Sequence, residues 1–117
     1  MTPYGMELLL DLKDRVLTGL SKKMLLDYFV GLCDRIRMKR HGEPYFWEDT
    51  SDVPHLHGIS AIQFIETSNV VCHPLPLLNS VYVNVFSCKE FDVDLAKRFS
   101  MEFWGARSAV ANVITRT

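Results

Sequence analysis

The chain has 117 residues, 48% of them apolar and 23% charged, with 13 Lys and Arg set against 14 Asp and Glu. A chain of this length buries roughly two thirds of the surface its unfolded form exposes, enough for one core without disulfide staples and too little for two, so a single domain over residues 1–117 is expected. The near-neutral balance leaves no basic excess to neutralise phosphates, which argues against nucleic acid or an anionic membrane surface as a partner.

No apolar run approaches the roughly 20 residues of a membrane span, and the start Met1-Thr-Pro-Tyr-Gly5 lacks the basic residues of a signal peptide. The expected location is cytoplasmic. Cys33, Cys72 and Cys88 are odd in number and form no C-x-x-C pair, so no disulfide framework is expected. His55 and His57 are close in sequence, but no spaced cysteines or carboxylates accompany them, and no metal site is expected.

In chain order, residues 5–12 form a short, mostly apolar run suited to a strand. After a turn at Thr18-Gly19, Ser21 is a candidate N-cap. Met24, Leu25, Tyr28, Phe29, Leu32, Cys33 and Ile36 then recur at helical spacing, with Arg35, Arg37, Lys39 and Arg40 near the end, where cations favour the helix dipole. From Lys39 to Pro54 the composition turns to Gly, Pro, acidic and aromatic residues, including Tyr45-Phe46-Trp47, and a long loop is expected. Gly58 to Ser68 and Asn69 to His73 read as extended pieces. Ser80 to Cys88 alternates clearly, and Pro74 and Pro76 are expected to separate these last two. A second helix follows, with Asp92 or Asp94 near its cap, Leu95, Phe99 and Phe103 on one face and Gly105 at its end. Ser108 to Thr115 closes the chain as a strand. The order predicts an α+β two-layer sandwich, a mostly antiparallel sheet with two helices packed on one face.

The stretch from Gly58 to Cys88 gathers serines, a histidine and a cysteine in one strand-rich region. Ser68 is followed by His73 five residues later and Cys88 twenty residues later, and is preceded by Ser60 at eight. This spacing resembles that of the small prokaryotic S-adenosylmethionine decarboxylases, pyruvoyl enzymes of spermidine synthesis. Gly5 to Asp11 is similar to the family's first strand, which ends in an acidic residue, and Phe86-Ser-Cys88 to its Phe-Thr-Cys. The sequence departs from the pattern at Thr67, where an acid or lysine is common, at Asn69, where histidine is common, and at Glu7, again in place of histidine.

The resemblance implies that the Ser68 hydroxyl attacks the Thr67 carbonyl, with Ser60 and His73 assisting, and that His73 then takes the Cα proton of residue 68. Elimination would split the chain between 67 and 68 and leave a pyruvoyl group derived from Ser68, with no metal. That group would form a Schiff base with S-adenosylmethionine and accept electrons as carbon dioxide leaves, while Cys88 returns a proton. Ser68, His73 and Cys88 are thus the expected catalytic residues and Thr67, Ser68, Ser60 and His73 the processing set. Glu66, Asn69 and Trp47 are the expected substrate-binding positions. The segment Tyr45-Phe46-Trp47 suits either stacking on an adenine or sulfonium, or packing in an interface or core. The implied partners are S-adenosylmethionine or a related small molecule and a second copy of the chain as homodimer. The residues also leave open an unprocessed homologue of the same fold, acting as a lyase or as a non-enzymatic regulator.

Overall fold

A computed structural model describes residues 3–15 and 17–117. Its elements run β1 (Gly5–Lys13), α1 (Lys22–Arg35), β2 (Tyr45–Asp49), β3 (Gly58–Ile65), β4 (Ser68–Leu75), a short 3-10 turn, β5 (Ser80–Ser87), α2 (Val93–Trp104) and β6 (Ser108–Arg116). The six strands form one sheet in the order β2-β3-β4-β5-β1-β6, and every pairing is antiparallel. Both helices lie on one face, so the expected α+β two-layer architecture is the observed one.

Alternation along the strands decides which face the helices cover. Leu8, Leu10 and Leu12 of β1 and Val81, Val83 and Val85 of β5 are buried, and they join Val70, Cys72, Ala61 and Ile65 of the neighbouring strands. Full burial of such side chains contributes roughly 1.5–3 kcal/mol each. Across from them, α1 presents Leu25, Tyr28, Phe29, Leu32 and Cys33. These fall at the three- and four-residue steps that put side chains on one helical stripe. Ser21 caps α1 by accepting the Met24 N–H at 3.1 Å, and Asp92 caps α2 by accepting that of Leu95 at 3.0 Å. Gly105 ends α2 in the left-handed conformation. The helices meet through Ala96, Ser100 and Trp104 of α2, with a buried hydrogen bond of 2.7 Å between the Tyr28 hydroxyl and Ser100 Oγ.

Two expectations need correction. The segment from Lys39 to Pro54 is not all loop, because Tyr45–Asp49 forms the edge strand β2, in register from Tyr45 opposite Ile62 to Asp49 opposite Gly58. Its alternation is hidden in the sequence because Tyr45 and Trp47 point to the open face of the sheet, where they are 69% and 74% exposed. Aromatic residues there look like a core signal when they are a surface one. Pro74 does not separate two elements; it sits inside β4 opposite Val81. The β3–β4 ladder already ends at Ala61 opposite Cys72, so Pro74 lies where no N–H is needed from it on that side.

Candidate functional site

The β3–β4 hairpin carries all the residues singled out from the sequence except Trp47 of β2 and Cys88 after β5, and they fall into two groups. Ile65 and Ser68 face each other across a tight turn made by Glu66 and Thr67, and Ser68 also pairs with Ser87 of β5. Thr67 is held at two points. Its carbonyl oxygen accepts the Cys88 backbone N–H at 3.0 Å. Its hydroxyl accepts from Ser87 Oγ at 2.8 Å and donates to the Met38 sulfur at 3.4 Å. Asn69 Nδ2 donates to Ser68 Oγ at 3.3 Å, which leaves the Ser68 proton free to be given away. Glu66 is exposed at the tip, its N–H on the Lys39 carbonyl and its carboxylate 3.5 Å from the Lys39 ammonium.

The segment after α1 supports this turn from outside the sheet. Arg40 bridges to Ile65, and the fully buried Gln63 ties the segment down by donating to the Gly42 carbonyl at 3.0 Å and accepting from Arg40 at 3.2 Å. Cys88 follows β5 directly and is exposed, beside a cavity of about 490 Å3 whose lining includes Tyr4, Gly5, Met6 and Phe91. Cys33 and Cys72 are buried. Burial pushes the Cys33 thiol up to about 11 and the Cys72 thiol well above its ordinary value. Of the three, Cys88 is the one a small molecule reaches.

The second group sits at the other end of the hairpin, on the open face. Ser60 Oγ lies 2.5 Å from His73 Nδ1, in a cavity of about 330 Å3 walled by Tyr45, Trp47, Ile62 and Val71. Partial burial there holds the His73 pKa below its usual value, so the neutral ring is favoured. Ser68 and His73 are five residues apart on one strand. At the rise of a β-strand that is roughly 16 Å, and an odd separation turns their side chains to opposite faces. Ser68 follows the inward set of Val70 and Cys72, whereas His73 is on the open side. Within one chain, Ser68, Thr67, Asn69 and the backbone of Cys88 come together, Ser60, His73 and Trp47 come together, and the two groups do not meet.

The parts of the site that depend on register leave no mark in the sequence. Ser87 and Met38 under the turn carry no signal of spacing, since a serine inside a strand and a methionine after a helix are both unremarkable in sequence. Gly5 is likewise silent, yet a Cβ at this position would meet the Ser87 carbonyl oxygen and lie 2.7 Å from Cys88 Cα. Only the bare glycine lets β1 approach the end of β5 so closely. Among the described residues, no group of three or more His, Cys, Asp or Glu is placed to hold a metal ion, and no helix is long and apolar enough to cross a membrane.

No curated protein sequence matches the chain. A crystal structure described as the adenosylmethionine decarboxylase from Aquifex aeolicus matches it with a TM-score of 0.75 at 16% identity, over 99% of this chain and 92% of that one. At that identity the likeness concerns the fold. The profile of the S-adenosylmethionine decarboxylase family matches residues 7–117. With nearly its whole length matched, the chain belongs to the S-adenosylmethionine decarboxylase family.

Proposed function

We propose that this chain is a self-processing, pyruvoyl-dependent decarboxylase of S-adenosylmethionine, serving polyamine (spermidine) synthesis in the cytoplasm as a homodimer of single-domain protomers. The observation that supports it most is the junction at Ser68: a serine at the shoulder of a tight turn, with the preceding carbonyl hydrogen-bonded by the backbone N–H of Cys88, a residue with an exposed side chain, at 3.0 Å. These residues fit a group generated at position 68. The Ser68 hydroxyl oxygen adds to the Thr67 carbonyl carbon, its proton passes to the amide nitrogen, and the C–N bond breaks to leave an ester. The Cys88 N–H is aimed at the oxygen where negative charge grows during the addition. Loss of the Cα proton of residue 68 then expels the Thr67 carboxylate. One water replaces the resulting enamine nitrogen, ammonia leaves, and residues 68–117 begin with a pyruvoyl group.

That group supplies the electron sink for loss of the substrate carboxylate. The exposed Cys88 would be the residue that returns a proton to the substrate carbon. Asn69 and Glu66 of one copy, Asn69 nearest to residue 68, and Trp47 of a second copy are the proposed substrate contacts. His73, with Ser60, is the proposed base, and the ~16 Å along β4 supports its serving residue 68 of a second copy rather than its own. The open sheet face suits such a copy: Tyr45, Trp47, Ile62, Phe64, Val110 and Ile114 are all exposed on it. An uncovered apolar surface of this kind marks an interface.

Intact-mass measurement of the purified protein, together with carbon dioxide release from S-adenosylmethionine, tests the proposal. The expected result is two fragments, 1–67 and a blocked 68–117, with turnover, and loss of both cleavage and turnover in Ser68→Ala. A single uncleaved chain that still consumes S-adenosylmethionine would overturn it in favour of an unprocessed lyase.

A further inference from the structure

Thr67 sits in a two-residue turn, a place where a threonine side chain normally faces water, yet its hydroxyl is tied into the interior. The ties form a directed chain. The Lys89 N–H donates to Ser87 Oγ at 3.0 Å, Ser87 donates to Thr67 Oγ1 at 2.8 Å, and Thr67 donates to the Met38 sulfur at 3.4 Å. Each hydroxyl gives one proton and accepts one, so both are satisfied. Ser87 is fully buried and Met38 is 7% exposed, so the chain runs from a half-buried Thr67 into the interior.

The same short stretch at the end of β5 therefore grips residue 67 twice, Ser87 at the side chain and Cys88 at the carbonyl. One attachment alone would let the Thr67–Ser68 peptide rock about the Cα–C bond of residue 67 as far as the pairing of Ser68 with Ile65 and Ser87 permits. Two attachments on opposite sides of that bond restrict its rotation, and with it which face the carbonyl can offer to a neighbouring nucleophile. Attack on a carbonyl depends steeply on such alignment.

We propose that Ser87 is a positioning residue for self-processing, acting through the Thr67 hydroxyl to hold the scissile carbonyl in its reactive orientation. The inference rests on the self-processing reading above. It assigns Ser87 and Met38 a part in the reaction although neither touches the atoms that react, and it makes the hydroxyl of Thr67, rather than its size, the feature that matters.

The test follows cleavage of freshly translated precursor by intact mass over time in wild type, Ser87→Ala, Thr67→Val, Thr67→Ser and the double variant Ser87→Ala/Thr67→Val. Melting of each substitution is measured separately in a Ser68→Ala background, where the chain stays whole. Ser87→Ala and Thr67→Val should each slow cleavage roughly tenfold or more, Thr67→Ser should restore a rate near wild type, and the double variant should be no slower than the worse single one. Cleavage rates that fall only in proportion to lost melting temperature, Ser87→Ala at the wild-type rate, or Thr67→Ser as slow as Thr67→Val would each overturn the inference while leaving self-processing intact. A wild-type chain that never cleaves would overturn self-processing itself, and the role of Ser87 with it.

Discussion

Replacing Gly5 by alanine tests the close approach on which the Cys88 end of the sheet depends. Gly5 has no left-handed backbone to lose, so the cost is steric alone. Its new Cβ would run into the Ser87 carbonyl oxygen and lie 2.7 Å from Cys88 Cα and 3.0 Å from the Ser87 carbonyl carbon. All three are backbone atoms, and they are held by the ladder from Met6 opposite Ser87 and by the Cys88 N–H on Thr67. No side chain rotates to make room, so the ends of β1 and β5 must part by about 1 Å, an overpacking that costs about 1–3 kcal/mol. At about 2.1 cal/mol/K of unfolding entropy per residue, each kcal/mol is worth about 4 °C in a chain this long, so Tm should fall by about 4–12 °C. Calorimetric melting in the Ser68→Ala background measures this on an uncleaved chain. Gly42→Ala is the control: it has φ +75° and nothing within 4 Å of its Cβ, so it should lose only about 1–2 kcal/mol for left-handed backbone. The same displacement should draw the Cys88 N–H from the Thr67 carbonyl and slow cleavage of the otherwise native chain. A Gly5→Ala protein melting within about 1 °C of its parent would refute the packing argument.

Three other outcomes are expected. Tyr28→Phe leaves the buried Ser100 hydroxyl without its 2.7 Å partner and should cost about 1–3 kcal/mol in chemical denaturation; adding Ser100→Ala should recover part of the loss, and no recovery would count against a direct bond. Iodoacetamide at about pH 8 should label the native protein once, at Cys88, because burial raises the other two thiols; a label on Cys72 would show the core to be open. Because His73 has a lowered pKa when folded, the unfolded chain binds its proton more readily. Its contribution to stability is therefore full above about pH 6.5 and is lost as pH falls from there through the folded value. The denaturation midpoint of wild type should drop more steeply over that range than that of His73→Gln, both measured with Ser68→Ala, and parallel curves would remove His73 as the cause.

Much of the fold was legible because local chemistry and burial agree. The Leu8, Leu10, Leu12 alternation, the stripe from Leu25 to Cys33 and the caps at Ser21, Asp92 and Gly105 each carry their own signal, read at the spacing of a strand or a helix. β2 was hidden because its aromatic residues face outward, and Pro74 misled because the rule against proline in strands applies only where a partner needs its N–H. The candidate site was legible as a set of residues, Ser60, Ser68, His73 and Cys88, but not as an arrangement.

The sequence by itself determined the residue types at a recognisable spacing, the two-layer class and the absence of a charge surplus. Once Ser68 and His73 lie in one strand, five positions put them at opposite ends and on opposite faces of it, but tertiary structure alone decided that Ser68 and Cys88, twenty apart, share an end. It also decided that Ser87 reaches the Thr67 hydroxyl and that Gly5 lies against Cys88. The physical reason is that sequence distance along a strand is true distance, about 3.3 Å per residue, whereas distance across a sheet is set by register, which long-range pairing of the hydrophobic faces selects.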